Sequence, residues 1–414
     1  MYRTVQTAAA GGRFGFNMRN AGFDHIIITG KSKVPTILKI TNDEIEFIEA
    51  NDYWGTGIES TTNELWNKYG RKYSIISIGE AGENKVYFAV RHLFWLLGLD
   101  KKRFGNKDWN PLSEIISRDD TVVIKPNLVF HRNLSGDSIF SVITHGSVVR
   151  ALIDYVYKAV GDGGKIIIAD APQHNADFDE ILKITGLGET VEYLKENFSL
   201  PLEIYDLRRE MVIYRDGVIV KRTRLTGDPK GYVEVDLKED SELSELSEDY
   251  RKFYGTDYNR EKTLKYHNRE RHAYVISRTI LESDVIINVP KLKTHVKAGV
   301  TISLKNMLGI VGDKNCLVHY RIGSPREGGD EYPDQGVLKN TILKINRWYT
   351  DKFLSKGKGV NLYSWLIKLT SGHSKLGNET VQGIVIHSGN WSGNDTIWRT
   401  ILDINKIVLY ADSK

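Results

Sequence analysis

The stretch Asp284 to Gly309, DVIINVPKLKTHVKAGVTISLKNMLG, decides how the chain is read. Val285, Ile286, Ile287 and Val289 form a short β-branched run of the kind that makes a buried strand. Pro290 ends the run, and Lys291, Lys293, His295, Lys297 and Lys305 follow with no acidic residue among them. A strand that delivers cations into the loop at its carboxyl end is how open α/β sheets build sites for phosphates or carboxylates. The small and polar string from Ala298 to Asn306 reads as a close-packed turn into a helix.

Moving outward, residues 121 to 125 read as a strand, 146 to 160 as a helix and 165 to 169 as a second strand, with Gly161-Asp162-Gly163-Gly164 as the turn between them. This β-α-β unit predicts parallel pairing and a right-handed crossover. The expected fold class is α/β, with a mostly parallel sheet flanked by helices, preceded by a small β-rich N-terminal segment. In that segment 26 to 28, 36 to 40, 45 to 48 and 73 to 78 read as short strands and Glu59 to Tyr69 as a helix. Val86 to Leu97 reads as a buried helix or strand capped by Gly98, and Asp100 to Leu112 as a linker or surface loop. The boundary is placed at residues 1–88 against 89–414. The acidic run Glu239 to Asp249 reads as an exposed linker within an excursion at about 236–265, and Lys406 to Ala411 as a late strand.

A chain of 414 residues has room for two or three domains and a substantial core. Its formal charge of +4 is too small and too dispersed to imply nucleic acid. No signal sequence opens it and no apolar run is long enough to span a bilayer, so the cytoplasm is the expected location. The single cysteine, Cys316, excludes an internal disulfide and any cluster held by four cysteines of one chain.

Several motifs carry a resemblance. Pro290-Lys291-Leu292-Lys293-Thr294-His295, Ser303-Leu304-Lys305-Asn306 and Gly312-Asp313-Lys314-Asn315 resemble the DUF362 family, a widespread prokaryotic group without an established common activity. Val123-Ile124-Lys125-Pro126-Asn127, Thr144-His145 and Ile166 to Asp170 resemble that family's first strand, first helix start and second strand. Gly323-Ser324-Pro325, Gly328 to Pro333 and Gly389-Asn390-Trp391 are similar to a branch often associated with polysaccharide gene clusters. Members of that branch continue past the Leu409 to Asp412 segment. The first 88 residues, through Gly11-Gly12-Arg13-Phe14-Gly15, Ala21-Gly22-Phe23-Asp24 and Ser77 to Asn84, resemble part of the N-terminal domain of tungsten-dependent aldehyde:ferredoxin oxidoreductases. The arginine-bearing segment and Ala-Gly-Arg turn that help to bind tungstopterin in that family have no counterpart here.

The candidate site follows from the strand ends. Lys125 and Asn127 follow the first strand, Asp170 ends the second, and Lys291, Lys293 and His295 follow the third. Lys125, Lys291 and Lys305 supply compact positive charge, and the amides of Asn127 and Asn306 can donate to an oxyanion. Lys293, Asp170 and His295 are the catalytic candidates. An unperturbed imidazole near pKa 6.5 exchanges protons near neutrality, and neighbouring lysines push that value down. His145, His174 and His319, lying in loops near these strands, are the metal-ligand candidates. The residues on either side of His145, Thr144 and Ser147, offer ordinary caps for the following helix and would leave the imidazole a mere neighbour.

The first functional reading is an enzyme or binder acting on an anionic, phosphorylated or carboxylated small molecule. The second is tungstopterin-dependent redox chemistry on an aldehyde, with a partner supplying the missing ligands. The third is an inactive fusion of two partial genes. Self-association is expected from an apolar C-terminal strand left without a neighbour.

Overall fold

The computed structural model describes residues 17, 18, 20–22, 32, 34–42, 44–53, 58–75, 85–215, 218–256, 260–363, 365, 379–381, 384–386 and 388–410. The chain divides into two compact units, Met1–Leu96 and Leu97–Lys414.

In the first unit, β1 (Thr36–Thr41) and β2 (Glu44–Glu49) pair as an antiparallel hairpin, with Ile40 opposite Ile45. Helices α1 (Ile58–Tyr69) and α2 (Lys85–Leu96) follow. The segment expected as a helix or strand is therefore helical from Lys85 to Leu96, burying Val90 and Phe94. The strand expected at 26 to 28 lies outside the described residues, as does the run from 76 to 78; residues 73 to 75 are not strand.

The second unit is built on four parallel strands. These are β3 (Thr121–Pro126), β4 (Lys165–Asp170), β5 (Leu202–Asp206) and β11 (Val285–Val289), in the order β11-β3-β4-β5. Helix α3 (Gly146–Val160) crosses from β3 to β4 and packs on both. Helices α4 (Phe178–Thr185) and α5 (Leu187–Phe198) lead to β5. The chain next leaves the sheet for the hairpin β6 (Glu210–Arg215) and β7 (Val218–Arg224), and for β8 (Tyr232–Asp236). Then come the short β9 (Phe253–Tyr254), α6 (Arg260–Tyr266), β10 (Ala273–Ser277) and α7 (Arg278–Leu281). Only after this excursion does it return as β11, on the far side of β3.

Val123 and Ile167 on one face of the sheet join Tyr274, Ile276, Ile310, Ile404 and Ile407 in a single core cluster. Val122, Ile124, Ile166 and Ile168, fully buried as well, alternate with them and point the other way. With both faces covered, these strands read as continuous apolar runs, which is why they were legible.

Three expectations are corrected. Lys406 to Tyr410 belongs to the helix α9 (Ile397–Tyr410) and not to a strand. Its buried positions Ile397, Ile401, Ile404 and Ile407 repeat at three and four residues, the helical spacing, and Ile404 and Ile407 join the core. The acidic run at 239 to 249 winds into 3₁₀ turns held to the body, with Leu243 fully buried and the Glu242 N–H donating to Asp403 Oδ1 at 2.7 Å. The segment Asp100 to Leu112 is anchored too. Trp109 and Leu112 are buried, and Trp109 meets Tyr155 of α3 edge to face.

Candidate functional site

The strand order reverses between β3 and β11, because β4 and β5 add on one side of β3 and β11 on the other. Such a switch point leaves a crevice at the carboxyl ends of the two strands. Here the loops after β3 and β11 are stitched together by Thr144. Its Oγ1 accepts from the Asn127 N–H at 2.9 Å and donates to the Val289 carbonyl at 2.8 Å.

Beneath the crevice lies a buried pair. Lys125 Nζ donates to Asp170 Oδ1 at 2.7 Å, to the Pro126 carbonyl at 2.9 Å and to Asn306 Oδ1 at 3.3 Å, which employs all three of its protons. Asp170 Oδ2 accepts from the Leu128 N–H at 2.6 Å. Burial pulls the Lys125 ammonium below its ordinary range, while Asp170 works to keep it charged. Gly309 packs directly on the pair, since a Cβ there would lie 2.0 Å from Asp170 Oδ1 and 2.5 Å from Lys125 Nζ. Asn306 Nδ2 reaches Asn288 Oδ1 at 2.7 Å, fixing the short helix α8 (Ser303–Asn306) to β11.

Above this floor stand the cations. The strands β12 (Lys293–His295) and β13 (Gly299–Thr301) form a small antiparallel hairpin. Lys291, Lys293, His295 and Lys297 are half-buried on it, whereas Leu292, Thr294 and Val296 between them are exposed. The alternation of a strand thus turns four basic residues toward one side. Lys293 Nζ donates to the Val142 carbonyl at 2.5 Å and lies 3.4 Å from Asn127 Oδ1, bridging the two loops. Lys297 Nζ donates to the Ser388 carbonyl at 2.8 Å. Lys314 Nζ donates to the Ala171 carbonyl at 2.7 Å. Among the described residues none of Lys293, Lys297, Lys305 or Lys314 has a carboxylate within ion-pair distance, and the Lys305 ammonium has no hydrogen-bond partner. Asp170 is spent on Lys125, and Glu331 on Arg347 at 3.0 Å.

Crowding and burial lower these lysines. Lys305 falls to about 7, through burial first and then Lys293, Lys297 and Lys314. Burial brings Lys293 to about 8, with Lys291 and Lys125 adding to the drop and Asp170 opposing it. Lys297 and Lys314, both driven by burial, also reach about 8.

His295 behaves differently from the neutral-pH proton carrier expected. Burial, then Lys305, Lys297 and Lys293, push it down to about 3, so at pH 7 it is neutral. Its Nδ1 accepts from the Lys297 and Ala298 N–H groups, both at 3.2 Å, which leaves Nε2 carrying the proton. The groups that titrate near neutrality are the lysines.

The metal-ligand candidates do not assemble. His145 itself caps α3, with Nδ1 accepting from the Ser147 N–H at 3.2 Å, in place of the caps expected from Thr144 or Ser147. His319 Nδ1 sits 2.9 Å from the Leu317 carbonyl, and His174 lines a separate cleft. No group of three histidine, cysteine, aspartate or glutamate side chains able to hold a metal occurs among the described residues. Cys316 is buried and its thiol is pushed up, chiefly by desolvation, which disfavours the reactive thiolate. Lys297 and Lys314 were not among the candidate site residues. The signals for them were present, in the two-residue spacing from Lys291 to Lys297 and in the Gly312 to Asn315 motif.

Comparison with known proteins agrees with this division. The model of a domain of unknown function, DUF362, matches residues 122–237 and 236–411, and the chain belongs to that family. The model of the aldehyde ferredoxin oxidoreductase N-terminal domain matches residues 1–103. Relatives of this first part include the tungsten-containing aldehyde ferredoxin oxidoreductases of Pyrococcus abyssi, 42% identical over 87 residues, and of Pyrococcus furiosus, 37% identical over 87 residues. A further relative is the aliphatic sulfonate oxidoreductase, WOR-like subunit, of Pyrococcus furiosus, 38% identical over 89 residues. The two aldehyde ferredoxin oxidoreductase matches cover 21% of this chain, and the sulfonate oxidoreductase match 18%; each covers 14% of the relative. No solved structure matches. Among the described residues no helix is long and apolar enough to cross a membrane.

Proposed function

We propose that the DUF362 unit binds, as an enzyme or as a binding protein, an anionic small molecule carrying a phosphate or carboxylate in the crevice between β3 and β11. The observation that carries this reading is the lysine cluster without counter-charge. Burial lowers Lys293, Lys297, Lys305 and Lys314, and the other three lower Lys305 further, yet among the described residues none of the four has a carboxylate within ion-pair distance. An unneutralised cluster of this kind is a standing electrostatic cost that an oxyanion removes. In this reading Lys291, Lys293 and Lys305 hold the anion, the His295 Nε2–H donates to it, and the Asn127 amide orients it. Lys125, Asp170 and Asn306 position these groups from below. Lys305 is the best-placed general acid or base, since its value near neutrality suits proton transfer at physiological pH.

Sulfate serves as the probe because it does not titrate. It is expected to raise the melting temperature of the wild-type chain, and Lys305→Met is expected to lose at least tenfold in sulfate affinity. The same variant should melt at or above the wild-type temperature without ligand, since it removes a half-buried charge that has no partner among the described residues. Undiminished sulfate affinity in well-folded Lys305→Met would remove this lysine from the site.

A second reading rests on the N-terminal match to the tungsten enzymes: a redox role in which a partner completes a tungstopterin site. Elemental analysis of the purified chain with its natural partners tests it, and tungsten at one per chain is the expected result.

A further inference from the structure

A second cleft opens away from the lysine hairpin, between the β6–β7 hairpin, α6 and the loop at 312 to 315. It holds about 210 Å³ and is lined by His174, Arg209, Glu210, Arg224, Lys262, Asp313 and Asn315. Backbone bonds hold the walls together: the Arg209 N–H donates to the Gly312 carbonyl at 2.9 Å, and the Val212 N–H to the His174 carbonyl at 2.9 Å. Gly312 is required there, because a Cβ would lie 2.0 Å from the Tyr232 ring.

The acids of the cleft are already engaged. Glu210 accepts from Arg222 at 2.9 Å and has Lys262 at 3.9 Å. Asp313 accepts from the Tyr266 hydroxyl at 2.9 Å, from the Asn315 N–H at 3.0 Å and from Asn315 Nδ2 at 2.8 Å. Arg209 and Arg224 have no carboxylate within ion-pair distance among the described residues, although both face the cleft. A second, independent sign points to a ligand. Asn315, only 3% exposed, has its Oδ1 buried without a hydrogen-bond partner. A buried amide oxygen left unsatisfied costs free energy that a donor in the cleft would recover.

We propose that this cleft is a second ligand site, taking a small molecule with an anionic group held by Arg209 and Arg224 and a hydroxyl or N–H that donates to Asn315 Oδ1. A phosphorylated or carboxylated polyol has that combination. The guanidinium forks suit planar, two-point recognition of a carboxylate or phosphate, whereas the compact ammonium groups of the strand-end site act as point charges. Lys314 joins the strand-end cluster while its neighbours Asp313 and Asn315 line this cleft, so one loop serves both sites.

Calorimetric titration of the full chain with glucose 6-phosphate, and separately with inorganic phosphate, tests the inference. Two molecules of glucose 6-phosphate per wild-type chain are expected, with Arg224→Gln removing one and Lys305→Met the other. Arg224→Lys should recover part of the lost affinity. Asn315→Asp, which keeps the shape and adds a repelling charge, should weaken the same event at least tenfold. A stoichiometry of one that Lys305→Met abolishes and Arg224→Gln leaves unchanged overturns the second site and spares the first. Equal affinity of the cleft for inorganic phosphate and glucose 6-phosphate would remove Asn315 from ligand recognition. Should the Arg224 variants melt early, the Asn315→Asp titration decides alone.

Discussion

Lys305 concentrates the chemistry of the strand-end site in one side chain. Its value of about 7, against 10.5 for an ordinary lysine, means that the unfolded chain holds this proton over a range where the folded chain has lost it. Below pH 7 both states are protonated and burial of the charge opposes folding in full; from about 7 to about 10.5 stability from this group rises with pH. An anion in the crevice reverses the depression, so binding draws protons in. Sulfate binding at pH 8.5 is therefore expected to take up protons and to weaken as pH rises from 7 to 9, whereas Lys305→Met should reduce the uptake. Calorimetry in two buffers of different ionisation heat measures it, and zero uptake or release would rule out the lysine cluster as the binding site. That His295 is not the titrating group was not legible in the sequence. The spacing of the lysines was visible, but the burial that dominates the His295 shift depends on how the hairpin packs.

At the scale of elements, what was legible follows from where each signal arises. Strands at 121 to 126 and 165 to 170 and the helix at 146 to 160 stood out because two-sided burial and helical periodicity are written locally, whereas 285 to 289, read as a buried strand, is a strand only half-buried at the sheet's edge. The C-terminal run KIVLYA has strand-like composition, yet the isoleucines before it set a helical period that a six-residue window misses. The premise of an open strand edge at 406 to 411 thereby falls away, and self-association has to be judged without it. The order β11-β3-β4-β5 was legible only through its consequence, the cations after the last strand. The Lys125–Asp170 pair ties the ends of β3 and β4 to each other and, through Asn306, to β11. Asp170→Asn leaves the Lys125 charge buried without its counter-ion and should cost about 3–5 kcal/mol in a chemical denaturation series. A loss under 1 kcal/mol would show that the three strand ends hold their arrangement without the pair.

Across the whole molecule, the two compact units differ in what they bury. Leu97–Lys414 has a continuous core from Val123 to Ile407, while among the described residues of Met1–Leu96 only Ala50, Leu65, Val90 and Phe94 are buried apolar side chains. Phe47, Phe88, Leu93 and Leu96 of the smaller unit stay exposed. A unit of this size has little stability of its own, since short chains bury a smaller share of their surface. Folding domain by domain then predicts two calorimetric transitions, the lower one belonging to the N-terminal unit. Sulfate should shift only the upper transition, because the lysine cluster lies wholly in the second unit. A shift that saturates with sulfate and is lost in Lys305→Met would also separate a working DUF362 unit from an inactive fusion, since general stabilisation by sulfate neither saturates nor depends on that lysine. A single transition that moves as a whole with sulfate would show that the two units unfold as one cooperative body and that the boundary near Leu96 has no thermodynamic meaning.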